Sequence, residues 1–201
     1  MDRSRPTCLP CAQGKRCKNN QSKKDTGRNA PIHKLGGVIG SDIKGPMTPK
    51  DRRGNRYMIN FNDYSTNYVR VFVAKNKVEA TKNFEHFLIY FEMRFNCRVH
   101  VLRTDGSKAY ANVDPFCMSA GVKRQVSKAD NQASNGKAER MHRTILNMPR
   151  CMLFASGLPL YFWGDAVKYA AYVEIGARAA PIRNVCRRST YYQVLHRPYR
   201  I

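Results

Sequence analysis

Up to about residue 34 the chain shows no hydrophobic period; from Gly36 it begins to alternate. Val38-Ile39 running into Asp42-Ile43, stopped by Gly45-Pro46, predicts a first strand that ends in a turn. Tyr57 to Phe61 and Tyr68 to Val73 predict two more, with turns at Asp51-Arg52-Arg53-Gly54-Asn55 and at Asp63 to Asn67. The chain therefore opens as a three-strand meander. The period then changes. Phe84, Phe87, Leu88, Phe91 and Phe95 recur at helical spacing, so Lys77 to Phe95 predicts a helix with one apolar stripe for a sheet face. Arg98 to Leu102 reads as a fourth strand running out at Thr104-Asp105-Gly106. A short helix around Pro115 to Ala120 and a fifth strand, Val122 to Val126, follow. Beyond Asn135-Gly136, Ala138, Met141, Ile145, Met148 and Met152 step by three and four along a long helix. Pro159 opens another, Leu160 to about Ile175, which carries Trp163 as a packing residue. The order β-β-β-α-β-α-β-α describes an α/β domain, a mixed sheet with helices packed on it.

The pattern divides the 201 residues into a basic tail over 1–34, a core over 35–157 and a helical extension over 158–201. A hydrophobic content of 42% suits a globular core, but 36 Lys+Arg against 14 Asp+Glu leave a formal net charge of +22. A surface so basic repels itself unless it faces polyanions, which makes nucleic acid the expected partner. No membrane is expected, because the longest apolar run, Phe87 to Phe91, is far too short to cross one. The first residues, Met1 to Pro6, carry no apolar stretch of a secretory signal. Seven cysteines is an odd count, and Cys97, Cys117, Cys151 and Cys186 each stand alone in apolar surroundings. Buried thiols in a reducing, intracellular compartment fit that usage better than a disulfide framework. His86 and His100 are expected on element surfaces.

Acids are scarce, so their positions carry information. Asp42 lies at the end of the first strand, Asp105 at the end of the fourth, and Glu139 opens the long helix. If strands one and four are neighbours, both aspartates leave the sheet at one edge, where the helix can deliver Glu139. Three converging carboxylates repel one another unless divalent cations neutralise them. Two Mg²⁺ or Mn²⁺ ions ~4 Å apart can clamp an in-line phosphoryl transfer. Lys128, Lys137, Arg140, Arg143 and Arg150 surround this triad in sequence and are candidates for phosphate contacts, which position DNA without reading it.

The residues around the acids sharpen the picture. Leu102-Arg103-Thr104-Asp105-Gly106, Ser127, Asn135-Gly136-Lys137-Ala138-Glu139-Arg140 and Arg143-Thr144-Ile145-Leu146 resemble the retroviral-integrase superfamily, and within it the integrase segment of copia-type LTR retrotransposon polyproteins. Asp42-Ile43-Lys44-Gly45-Pro46 fits the first-aspartate motif, Tyr57 to Tyr64 the second strand, and Leu158-Pro159, Phe162-Trp163-Gly164 and Ala166 the helix after the core. Tyr191 to Pro198 resembles the segment that closes the conserved region. The resemblance implies a ribonuclease-H-like fold with Asp42, Asp105 and Glu139 as catalytic and metal-binding triad. It also implies DNA integration by polynucleotidyl transfer, retroelement ends and target DNA as partners, homo-oligomers, and work in the nucleus. Cys8-x-x-Cys11 matches half of the zinc site that precedes the core in this family; no histidine pair lies before it, so Zn²⁺ would need further ligands. The chain departs from the family at Gly40, where a histidine is usual, and at Gly106-Ser107-Lys108, where Asn-Gly-Gly is usual. Two readings stay open: an active integrase core, or a decayed nucleic-acid-binding relic that keeps the fold and the charge.

Overall fold

The structure, a computed structural model, describes residues 30–110, 112–127 and 136–173, with backbone alone at 108, 136–139 and 142. Strands β1 (Val38–Lys44), β2 (Tyr57–Asp63) and β3 (Val69–Ala74) form the expected meander. A 3₁₀ turn (Lys77–Glu79), capped by the Asn76 side chain on the Glu79 N–H, leads into α1 (Ala80–Phe95). Then come β4 (Val101–Thr104), α2 (Val113–Ser119), β5 (Lys123–Val126) and α3 (Gly136–Ser156). A 3₁₀ turn at Leu160–Phe162 opens α4, described over residues 163–173. The sheet order is β3-β2-β1-β4-β5, with β1, β4 and β5 parallel and the meander antiparallel.

Alternation assigns each strand residue to one of two faces. On the first, Ile39, Ile59, Phe61, Phe72 and Leu102 meet the stripe of α1, and Phe84, Phe87 and Phe91 are fully buried there. Phe87 sits between Phe61 and Phe91, with ring centroids 5.1 and 5.2 Å away. On the second face, Met58, Val69 and Val71 meet Met141, Ile145 and Leu153 of α3 and Trp163, Val167 and Ala171 of α4. That apolar strip covers β2 and β3 only. Nearer the centre of the sheet the second face is mixed: Val38 and Val101 pack with Tyr64, and along the same strands Gly40, Asn60, Asn62 and Arg103 follow.

The turn at Asp51 to Asn55 forms as expected, closed by two backbone hydrogen bonds (Asp51 N–H to Asn55 O, Gly54 N–H to Asp51 O, both 2.9 Å), but it has a further task. It grips the start of α4: the Trp163 indole donates to Pro49 O (2.9 Å), Arg52 N–H to Tyr161 O (3.1 Å), and the Arg52 guanidinium pairs with Asp165 (3.1 Å) over the Phe162 ring. Gly164 is required there, because a Cβ would collide with the Asp51 carboxylate. Burial opposes ionisation of Asp51. Hydrogen bonds from the Asn55 side chain, Asn55 N–H and Arg53 N–H, helped by the charge of Lys168, outweigh it and hold the carboxyl below its ordinary value.

Asp63, expected in a turn, instead ends β2 and is fully buried. It accepts from Gly36 N–H (3.1 Å) and from the Thr66 N–H and hydroxyl (2.7 Å each), a structural role. Among the described residues no helix is long and apolar enough to cross a membrane.

Candidate active site

The parallel pairing of β1 with β4 runs Val38–Val101, Ile39–Leu102, Gly40–Arg103. Asp42 and Asp105 each lie two positions beyond that last pair. Continued over those two positions, the register puts both on the same face of the sheet. Chain order alone could not deliver this placement; it follows from the crossover through α1, which returns β4 parallel to β1. The Asp42 N–H donates to Asn60 Oδ1 across the antiparallel ladder (3.1 Å), and Asp42 Oδ1 accepts from Ile43 N–H (2.8 Å). Asp105 Oδ1 accepts from Ser107 N–H (3.3 Å), which folds the segment after β4 back on the carboxylate. Both aspartates are half-buried. Helix α3 lies against β1 and β2, and Glu139 falls in its first turn; the side chain is outside the described residues.

Behind the aspartates, on the opposite face, the Tyr110 hydroxyl lies 2.6 Å from Ser41 Oγ. Burial above all raises the Tyr110 pKa, and the carboxylates of Asp42 and Asp105 push the same way. The Ser41 hydrogen bond and the charge of Arg124 oppose them without prevailing. One row below the aspartates on their own face lies Arg103, only 5% exposed, its guanidinium 5.2 Å from the Tyr64 ring centre and bonded to Gln125 Oε1 (3.0 Å from NH2, 3.3 Å from Nε). Across Gly40 in that row is Asn62, fully buried, with neither side-chain atom hydrogen-bonded. Asn60 likewise leaves its Nδ2 without a partner. Arg103, Asn60 and Asn62 were not singled out in the sequence. Their alternation phase, two residues from Asp105 and register partners of Asp42 and Gly40, is the signal that places them on the aspartates' face.

Hard carboxylate oxygens at one sheet edge are the donor type that Mg²⁺ and Mn²⁺ prefer, so the pair fits such ions. Among the described residues no three His, Cys, Asp or Glu side chains gather into a metal-ready group. Arg140, Arg143 and Arg150 form one exposed stripe along α3, and Asp165 is engaged by Arg52. For Lys137 only the helix backbone is described; Lys128, Cys8, Cys11, Cys186 and the segment from Tyr191 to Pro198 lie outside the described residues. Cys97 is half-buried and Cys117 buried, and burial pushes both thiols up to about 11. That makes them poor nucleophiles at neutral pH. His86 is exposed, and His100 is partly exposed with Lys34 Nζ 3.1 Å from its Nε2.

No protein-family model matches the chain. Over 147 residues, 72% of its length, it is 31% identical to the "Retrovirus-related Pol polyprotein from transposon TNT 1-94" of Nicotiana tabacum, and it spans 11% of that polyprotein's length. Among solved structures it resembles the simian T-cell lymphotropic virus intasome in complex with the PP2A regulatory subunit B56 gamma (TM-score 0.55, 18% identity, 68% of this chain and 47% of that one). It also resembles the HTLV-2 integrase catalytic core domain in complex with magnesium, trimeric form (TM-score 0.51, 18% identity, 68% of this chain and 82% of that one). At 18% identity these two likenesses speak for the fold alone. Sequence homology to a region of the polyprotein and the five-stranded sheet with its order 3-2-1-4-5 agree: the chain is an integrase catalytic core homologous to that copia-type Pol region, with the ribonuclease-H-like fold of its retroviral structural neighbours.

Proposed function

We propose that this chain is the catalytic core of a retrotransposon integrase that trims and joins retroelement DNA ends to target DNA by polynucleotidyl transfer. The observation that supports the proposal is the register that puts Asp42 and Asp105 on one sheet face, the face on which α3 packs, with Glu139 in the first turn of that helix. These three carboxylates would hold two Mg²⁺ or Mn²⁺ ions, which when bound activate the attacking oxygen and stabilise the leaving one. Burial of Arg103 one row below adds a fixed positive charge that offsets repulsion within the pair. Arg140, Arg143 and Arg150, with Lys128 and Lys137, grip phosphates along the path of the DNA. The HTLV-2 core was solved with magnesium and as a trimer, and the simian virus protein as an intasome; by likeness we extend divalent metal, DNA and homo-oligomers to this chain, and nuclear work with them.

An oligonucleotide strand-transfer assay with Mn²⁺ tests this. Joined product is expected from the parent chain and none above background from Asp42→Asn, Asp105→Asn or Glu139→Gln. Product that persists in Glu139→Gln would remove that residue from the mechanism. The replacement of the usual Asn-Gly-Gly by Gly106-Ser107-Lys108 beside Asp105 favours the second reading, a nucleic-acid-binding relic. A parent chain that binds duplex DNA but makes no product selects it.

A further inference from the structure

The backbone ladder between β1 and β4 stops at Gly40–Arg103, so Asp42 and Asp105 stand beyond the last pair that ties their strands together. Two carboxylates on one face of adjacent strands repel. A tie across the gap comes from behind. Ser41, immediately before Asp42, points to the opposite face and is fully buried. Tyr110 closes the 3₁₀ turn Lys108–Tyr110, which follows Asp105, and is fully buried too. Their hydroxyls meet at 2.6 Å, within the range of an O–H···O hydrogen bond. The ring cannot swing away. It is packed in the aromatic cluster under α1, and the Arg124 guanidinium lies 5.8 Å from its centre. Arg124 is itself held by Asp114 (2.6 Å) and by Thr104 Oγ1 (3.3 Å). Tyr110 N–H bonds Ser107 O (3.2 Å), and Ser107 N–H bonds the Asp105 carboxylate, so the phenol is connected to Asp105 through one short turn.

We propose that the Ser41–Tyr110 hydrogen bond is a positioning device that fixes the separation of Asp42 and Asp105 before a divalent cation arrives. The proposal rests on the assignment of those aspartates as metal ligands made above. With the bond in place, cation binding need not draw the two strands together; without it, part of the binding free energy goes into that closure.

The test uses the full chain and Mn²⁺ alone, titrated calorimetrically, with melting temperatures recorded with and without metal. Tyr110→Phe should melt earlier in EDTA, because it leaves the buried Ser41 hydroxyl without a partner. The double variant Ser41→Ala/Tyr110→Phe removes both partners and should regain most of that loss. Both variants should bind Mn²⁺ roughly three- to ten-fold more weakly, the range that one net hydrogen bond supports. The separation of the two readouts is what a merely structural pair would not produce. A double variant that melts like the parent yet binds Mn²⁺ just as tightly overturns the positioning role and leaves the metal site standing. A parent chain that binds no Mn²⁺, or an Asp105→Asn variant that binds it undiminished, overturns the metal site and the positioning role together.

Discussion

Under α1 the sheet presents Ile39, Ile59, Phe61 and Leu102 to a wall of phenylalanines, whereas under α3 the same strands present Gly40, Asp42, Asn60, Asn62 and Arg103. Neighbours in sequence thus live in opposite chemistry. Ile39 packs in the aromatic core and Gly40 lies beside a buried guanidinium; Phe61 stacks on Phe87 and the Asn62 side chain has no hydrogen-bond partner. The first face is where burial of apolar area stabilises the fold. The second retains charge and unbonded amides at a cost in stability, and it is where the register puts two aspartates. The asymmetry teaches that the site is supported from behind, by a largely apolar face on which the Ser41 and Tyr110 hydroxyls are paired with each other.

The sharpest way to break that contrast is to empty the first face. Phe87 is fully buried between two other rings, so Phe87→Ala loses both transfer free energy and stacking and leaves a cavity. A loss of about 3–5 kcal/mol is expected in denaturant unfolding of the chain. A loss under about 1 kcal/mol would mean that α1 does not hold the sheet, and that the two faces differ less than their composition says.

Much of this face was legible in the sequence, because Phe84, Phe87, Leu88 and Phe91 announce a buried stripe by spacing alone, and strands β1 to β5 follow from alternation and turn residues. The shared face of Asp42 and Asp105 was legible on one condition, that strands one and four pair, and the pairing of β1 with β4 meets it. What stayed hidden was long-range. Trp163 and Pro49 are 114 residues apart, and Ser41 and Tyr110 are 69 apart; neither contact leaves a local trace. Asp63 misled for a different reason. An Asp before Tyr-Ser-Thr-Asn carries a turn signature, and its carboxylate does bond Thr66 as a turn residue would, yet its backbone still belongs to β2. Glu139 is legible as the acid of a helix start, and its backbone sits there, in the first turn of α3.

A smaller effect, of opposite sign, is expected on the second face. Asn62 is buried with its amide nitrogen and oxygen both unbonded, so it bears a desolvation cost without return. Asn62→Val, close in size and suited to a strand, should raise stability by about 1–2 kcal/mol. Asn62→Asp should lower it, since a charge would be buried in the same place. If Asn62→Val destabilises instead, the amide has a partner and the polarity of this face is stabilising rather than tolerated.

The smallest change in stability belongs to the outside of α3, and there the consequence shifts from folding to binding. Arg140 and Arg143 are exposed one turn apart on the helix that carries Glu139. Replacing both with Ala should alter unfolding by less than about 0.5 kcal/mol, as for other surface sites. Their work is expected on DNA, where each phosphate neutralised adds roughly −0.9 to the slope of log affinity against log salt on duplex. The double variant should therefore flatten that slope by up to ~2 and weaken all sequences alike, since phosphate contacts carry no base information. Titration of a labelled random duplex at several salt concentrations reads both quantities. An unchanged slope would place the DNA on another part of the basic surface; a slope that flattens for one sequence only would mean that these arginines reach base edges. Either outcome would redraw the boundary between the face that binds and the face that merely holds the sheet together.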